Sequence, residues 1–201
     1  MDIIFIKNYA KLGKENLKKI LLFLLLLPSL YADAQIYIGA GAAAFSEDFN
    51  NGVEAKGSAK SAKFKIGYGD RAAYGVEFSL DYVQTESKIF SSSNAVSSDG
   101  NRYGINVELV KAFDFDIYVL PFFKAGFGTG FLDINRETQK SLRYGSYNLS
   151  FGTLLPINKN LDFELSYDYK YTSYEAIDTI SEKIRYESNV NTAYFGFNIR
   201  Y

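Results

Sequence analysis

From residue 36 onward, apolar side chains fall on every second position, and this rhythm recurs eight times before the chain ends. The most regular run sets Leu161, Phe163, Leu165, Tyr167, Tyr169 and Tyr171 against Asp162, Glu164, Ser166, Asp168 and Lys170. A period of two describes a β-strand with one apolar and one polar face, and a helix cannot carry it. The same alternation puts Ile36, Ile38, Ala40, Ala42 and Ala44 on one face of the first run. It puts Phe64, Ile66 and Tyr68 on one face of the second, and Tyr74, Val76, Phe78, Leu80 and Tyr82 on one face of the third. Tyr103, Ile105, Val107 and Leu109 mark the fourth, and Phe123, Phe127 and Phe131 the fifth. Tyr147, Leu149, Phe151 and Leu155 mark the sixth, and Ala193, Phe195, Phe197 and Ile199 the last, which runs to Tyr201.

The breaks between runs alternate in length. Residues 46–59, 85–101, 133–141 and 175–188 are long and polar, whereas 70–73, 111–116 and 156–160 are short. The runs cover about 10 to 13 residues each, against the roughly 9–11 that cross a bilayer at a tilt. An even number of antiparallel strands, with short turns at one end and long loops at the other, is the layout of an outer-membrane barrel. The expected fold class is all-β, an eight-stranded antiparallel up-and-down transmembrane β-barrel. Both ends of the barrel domain fall on its short-turn, periplasmic side.

Alternation alone does not say which face points outward. The face opposite the aromatic residues is a mixture of Gly, Ser, Asn and balanced charge, which suits the interior of a narrow eight-stranded barrel. Tyrosines gather near run ends, at Tyr68, Tyr74, Tyr82, Tyr103 and Tyr171, as an interfacial girdle does. The apolar face is therefore expected to meet lipid rather than an internal ligand, as in a soluble barrel.

The N-terminal segment reads as a targeting signal. Lys14, Lys18 and Lys19 precede the apolar stretch 20–27, followed by Pro28 and an Ala32-x-Ala34 pattern. The apolar stretch is too short for a membrane-spanning helix. The expected organisation is a signal peptide over 1–34 and an outer-membrane β-barrel domain over 35–201. The expected location is the cell outer membrane of a Gram-negative bacterium.

Composition narrows the chemistry. Among 201 residues there are 17 Tyr and 17 Phe but no Cys and no His. The commonest general base and transition-metal ligand are thus absent, as are thiolates. The net charge of −1 gives no basic patch for nucleic acid. No enzyme activity, cofactor or metal site is expected. Residues 133–137 carry oxygen ligands at alternate positions but lack the turn glycine of a calcium loop. The Gly126, Gly128 and Gly130 spacing is the strand period, not a nucleotide loop.

Two features carry candidate function. The polar face brings Lys63, Lys65, Lys124, Lys170 and Arg200 into the lumen with Glu77, Asp81, Glu108, Glu164 and Asp168. Lys65 and Glu77 flank one short turn at similar depth and can pair directly, while Asp168 and Lys170 sit higher. Charges in so narrow a bore must pair or stay hydrated, which makes a structural plug. The other reading is an ion path gated by rearranging pairs. The second feature is the Ser-rich loop 85–101, with Ile89 and Phe90 as its large apolar residues. It reads as a solvated loop or as a site for a surface ligand.

The stretches Ile36-Tyr-Ile-Gly-Ala-Gly41, Phe122-Phe-Lys-Ala-Gly-Phe-Gly128, Leu161-Asp-Phe-Glu-Leu-Ser-Tyr-Asp-Tyr169 and Phe195-Gly-Phe-Asn-Ile-Arg-Tyr201 resemble a known family. It is the small eight-stranded outer-membrane barrels, the OmpA-type transmembrane domain and its OmpX-like, porin-family relatives. The resemblance covers residues 35–201 and is generic to the architecture. It implies that Phe195, Phe197, Ile199 and Tyr201 form the signal read by the barrel-assembly machinery. No peptidoglycan-binding domain follows, so an anchoring role is not implied. The expected function is a small non-enzymatic barrel contributing to envelope integrity or cell-surface contacts through its loops. The alternative is a narrow, weakly conducting pore. The expected partners are outer-membrane lipid, the assembly machinery and a ligand met through the loops.

Overall fold

The computed structural model describes residues 33–49, 59–84, 101–133, 140–178 and 183–201. Most of the stretch expected to be a signal peptide, Ile89 and Phe90 of the Ser-rich stretch expected to be a loop, and residues 134–137 of the weak calcium-loop stretch lie outside them. The strands are β1 (Gln35–Phe49), β2 (Ala59–Gly69), β3 (Tyr74–Gln84), β4 (Asn101–Ala112), β5 (Leu120–Asp133), β6 (Ser141–Pro156) and β7 (Leu161–Tyr174). A two-residue ribbon, β8 (Ile177–Asp178) and β9 (Lys183–Ile184), precedes β10 (Glu187–Arg200).

The long strands close into one barrel in the order β1-β10-β7-β6-β5-β4-β3-β2. Every pairing around it is antiparallel, and no helix occurs among the described residues. The last strand closes the seam, with Arg200 opposite Tyr37 and Ser188 opposite Phe49. Closure leaves no row of unpaired backbone groups at an edge.

The strands run further toward the long connections than hydrophobic alternation marks. β1 continues through 46–49, a stretch expected to be loop, and β6 already begins at Ser141. There both faces are polar or mixed, so the period-two signal fades while backbone pairing continues. At the other end the turns are tight. Asp70 N bonds Tyr74 O at 3.0 Å, and Ile157 N bonds Leu161 O at 2.9 Å. The third turn, 113–119, holds Asp116 at φ 60°, a left-handed conformation that Asp tolerates better than most residues.

Side chains divide as the alternation requires. Phe64, Leu80, Ile105, Phe127, Phe151, Leu165 and Phe195 are all exposed on the outside. The inside is filled. Glycines there seat tyrosines from neighbouring strands: a Cβ at Gly67 would lie 2.1 Å from Tyr37 Cζ, and one at Gly41 would lie 2.6 Å from Tyr194 Oη. Apolar clusters cap both ends of the bore. Ala112, Leu120, Phe122 and Leu154 close the tight-turn end. Phe49, Leu132, Leu142, Tyr144 and Tyr174 close the other, with Phe45, Val83 and Val190 beside them.

Candidate functional site: the charged lumen

Between the apolar caps the bore is a stack of ion pairs. Nearest the tight turns, Arg200 Nε meets Asp162 Oδ2 at 2.6 Å and Arg71 Nη2 meets Asp162 Oδ1 at 2.9 Å. Arg71 also donates to the carbonyls of Asn158 and Lys159, 2.9 Å each, tying two turns together. Burial pulls its guanidinium below the ordinary value, and Asp162 acts against that shift.

The next layer is a quartet. Lys124 Nζ lies 3.0 Å from both carboxylate oxygens of Glu77 and 2.8 Å from Glu164 Oε1. Lys65 Nζ bonds Glu164 Oε2 and lies 3.5 Å from Glu77 Oε2. Tyr37 Oη donates to Glu77 at 2.9 Å and Asn198 Nδ2 to Glu164 at 2.8 Å. Their neighbours satisfy both carboxylates by charge and hydrogen bond together, which is the condition for burying such groups. The Lys65–Glu77 contact is thus one side of a larger ring.

Above the quartet, Lys63 pairs with Asp168 and Lys170 with Asp81, both at 2.8 Å. Asn106 donates to Asp81 at 2.8 Å and to Ser79 at 3.0 Å, and receives Asn148 at 3.0 Å. Glu108 is buried directly opposite Glu77 in the register, and among the described residues it has no ion-pair partner. It lines a cavity of about 40 Å³, of a size that ordered water fills. The layer under the outer cap joins Arg102 to Glu47 at 2.9 Å, with Tyr174 and Ser188 donating to the same carboxylate oxygen at 2.9 and 2.6 Å.

A second cavity of about 20 Å³ lies toward the tight turns, lined by Tyr37, Arg71, Glu77 and Phe122 among others. The two cavities share no lining residue. Glu77, Lys124 and Glu164 of the quartet line the second cavity, and none of them lines the first.

On the outside, the apolar band ends toward the long connections in a row of rings. Tyr82 and Tyr103 lie 5.3 Å apart between centroids, and Tyr103 and Phe131 lie 5.0 Å apart. Tyr167 and Tyr169 each donate to an outward Asn, Asn191 and Asn189, at 2.7 Å. Amphipathic rings with bonded hydroxyls suit a boundary between hydrocarbon and water. Phe195, Phe197, Ile199 and Tyr201 all stand exposed on this outer wall.

Solved structures share this architecture. Neisserial surface protein A matches with a TM-score of 0.61 and 19% identity, over 84% of this chain and 99% of that one. Ail, the attachment invasion locus protein of Yersinia pestis, matches with a TM-score of 0.55 and 19% identity, over 84% and 99%. A further structure of Ail, in complex with the heparin analogue sucrose octasulfate, gives 0.51 and 19%, over 84% and 97%. The fold is that of the small eight-stranded outer-membrane barrels. No protein-family model matches the sequence, and no curated protein matches it.

Within this barrel fold Glu164 and Asp168 are each held by several partners. Glu164 is held by Lys65, Lys124 and Asn198, and Asp168 by Lys63 and Ser166, which leaves this carboxylate pair little freedom for acid–base work. Several lumenal groups escape a reading of the sequence as far as charges are concerned. Glu47 sits in a stretch that reads as loop, although it continues the inward phase of Ala43 and Phe45. Arg102 and Asp162 lie on polar faces but join the set only when the barrel closes around them. Tyr37, Tyr144, Tyr174 and Tyr194 are also inside, and their signal is a phase opposite to that of the outward aromatics.

Proposed function

We propose that this chain is a small non-enzymatic barrel of a Gram-negative outer membrane. Its wall crosses the bilayer, its lumen is a brace rather than a conduit, and its long connections make surface contacts or support the envelope. The observation that carries this reading is the combination of an apolar outer wall with a bore whose two cavities share no lining residue. An exposed band of Phe, Leu, Ile and Tyr is costly in water and favourable in lipid. The quartet between two water-sized cavities supports a closed lumen. Residues 1–34 act as the export signal in this account, and the row ending at Tyr201 as the feature read during assembly. Ail is by name an attachment protein, and a role in attachment is for this chain our proposal alone, assigned to the segments 50–58, 85–100 and 134–139.

Cell fractionation together with heat-modifiable gel mobility tests the membrane reading. The expected result is outer-membrane recovery and a mobility shift on boiling. Recovery as a soluble periplasmic protein would contradict it. Deleting residues 85–100 is expected to reduce attachment of cells that display the barrel to a coated surface without unfolding the barrel, and unchanged attachment would remove that segment from the proposal.

A second reading, a narrow pore, has one observation in its favour. Lys65 and Lys124 each reach both Glu77 and Glu164, so the ring can exchange partners without leaving a charge unpaired.

A further inference from the structure

Among the described residues, a wide concavity lies on the outer wall rather than in the lumen. It has a volume of about 1040 Å³ and lies toward the long connections across β1 to β6. The register places its walls. One row runs Ala62, Tyr82, Tyr103, Phe131, Arg143, and the next row toward the tight turns runs Phe64, Leu80, Ile105 and Thr129, with Gly145 continuing that row just outside the lining. Leu80, Ile105 and Phe131 are 54%, 55% and 45% exposed, so they offer a wide apolar surface. The wall is bare at Gly145, where a Cβ would meet nothing within 4 Å.

At the head of this bare strip stands Arg143, exposed and outward, with Ser141 beyond it. Among the described residues no carboxylate lies within ion-pair distance of Arg143. Asp133 is one row further out, paired with Ser141. The result is a slot that is cationic at the rim and apolar below. Arginine at the edge of hydrocarbon favours a phosphate, which its planar fork holds with charge-assisted bonds.

We propose that this groove binds an anionic lipid of the outer leaflet, its phosphate on Arg143 and an acyl chain along Leu80, Ile105, Thr129 and Gly145. The proposal rests on the membrane reading above and adds a defined lipid site to it. Charge complementarity at Arg143 distinguishes this occupant from a neutral lipid.

Native mass spectrometry of the refolded barrel in a neutral detergent tests it. The probes are dimyristoyl phosphatidic acid, dimyristoyl phosphatidylcholine and inorganic phosphate. Phosphatidic acid is expected to be retained over phosphatidylcholine by on the order of tenfold, with inorganic phosphate not retained. Arg143→Gln is expected to abolish that preference, and Gly145→Leu to lower retention of both lipids by filling the slot. Equal retention of the two lipids, an unaltered preference in Arg143→Gln, capture of inorganic phosphate alone, or a lipid-free dimer would each overturn the site. Heat-modifiable mobility of each variant shows that it is folded. A wild-type chain that inserts into no vesicle would instead count against the membrane reading.

Discussion

Lys124 on β5 reaches Glu164 on β7, Nζ to Oε1 2.8 Å, although β6 stands between their strands in the sheet. The bond therefore passes over the inner face of β6 and ties together two strands that are not neighbours. Removing one partner leaves the buried quartet with two charges of one sign and one of the other. Glu164→Ala or Lys124→Ala is expected to cost about 3–5 kcal/mol in denaturant unfolding from lipid vesicles. The double change to leucine should cost less than the sum of the single changes, because it strands no charge at this contact. Additive losses would show that the two residues do not act as a pair.

Tyr194 is almost wholly buried, and Lys63 and Lys65 each hold Nζ 5.1 Å from its ring centroid. Its hydroxyl has no hydrogen-bond partner among the described atoms. The ring, not the hydroxyl, is thus what the lumen uses. Tyr194→Phe is expected to change unfolding stability by less than about 1 kcal/mol, and Tyr194→Ala to reduce it by about 3–5 kcal/mol. A large loss in Tyr194→Phe would reveal a bond by the hydroxyl that this account lacks.

Depth on the outer wall offers a separate test. Phe127 is 52% exposed in the middle of the apolar band, whereas Asn101 lies at the rim beside Tyr82. In a bilayer, Phe127→Arg is expected to cost roughly 2–4 kcal/mol and Asn101→Arg about 0–1 kcal/mol. Equal costs at both positions would mean that the wall does not face lipid.

Tyr201 bonds through its backbone N to Ile36 O at 2.9 Å, and its ring is exposed. Tyr201→Ala leaves that bond intact, so refolding of purified protein into vesicles is expected to proceed normally. Outer-membrane levels in cells are expected to fall, since the ring belongs to the row proposed for assembly. Unchanged levels would remove Tyr201 from that role.

The architecture was legible because a period of two survives wherever one face is apolar. β7 shows it without interruption from Leu161 to Tyr171, and the alternating connection lengths order the strands around the barrel. The lumen was legible only one residue at a time. Alternation says that Lys63 and Asp168 face inward, but their 2.8 Å contact depends on barrel closure, which brings β2 and β7 across the bore from one another. Glu47 was hidden for another reason. Past the apolar band, Ser46 and Asp48 are as polar as an inward residue, so nothing in composition marks the strand's continuation. The outer groove was hidden too, because Arg143 and Gly145 become the head and floor of a slot only beside Phe131 and Thr129 of the neighbouring strand.

The central claim is that ion pairs close the bore between its two cavities, and single-channel conductance in a planar bilayer tests it most directly. The wild-type barrel is expected to insert and pass no steady current. Lys65→Ala and Glu77→Ala are expected to open brief, noisy events by loosening the quartet. A steady wild-type current, altered in amplitude by either substitution, would contradict the closed lumen and make the quartet a gate in a pore.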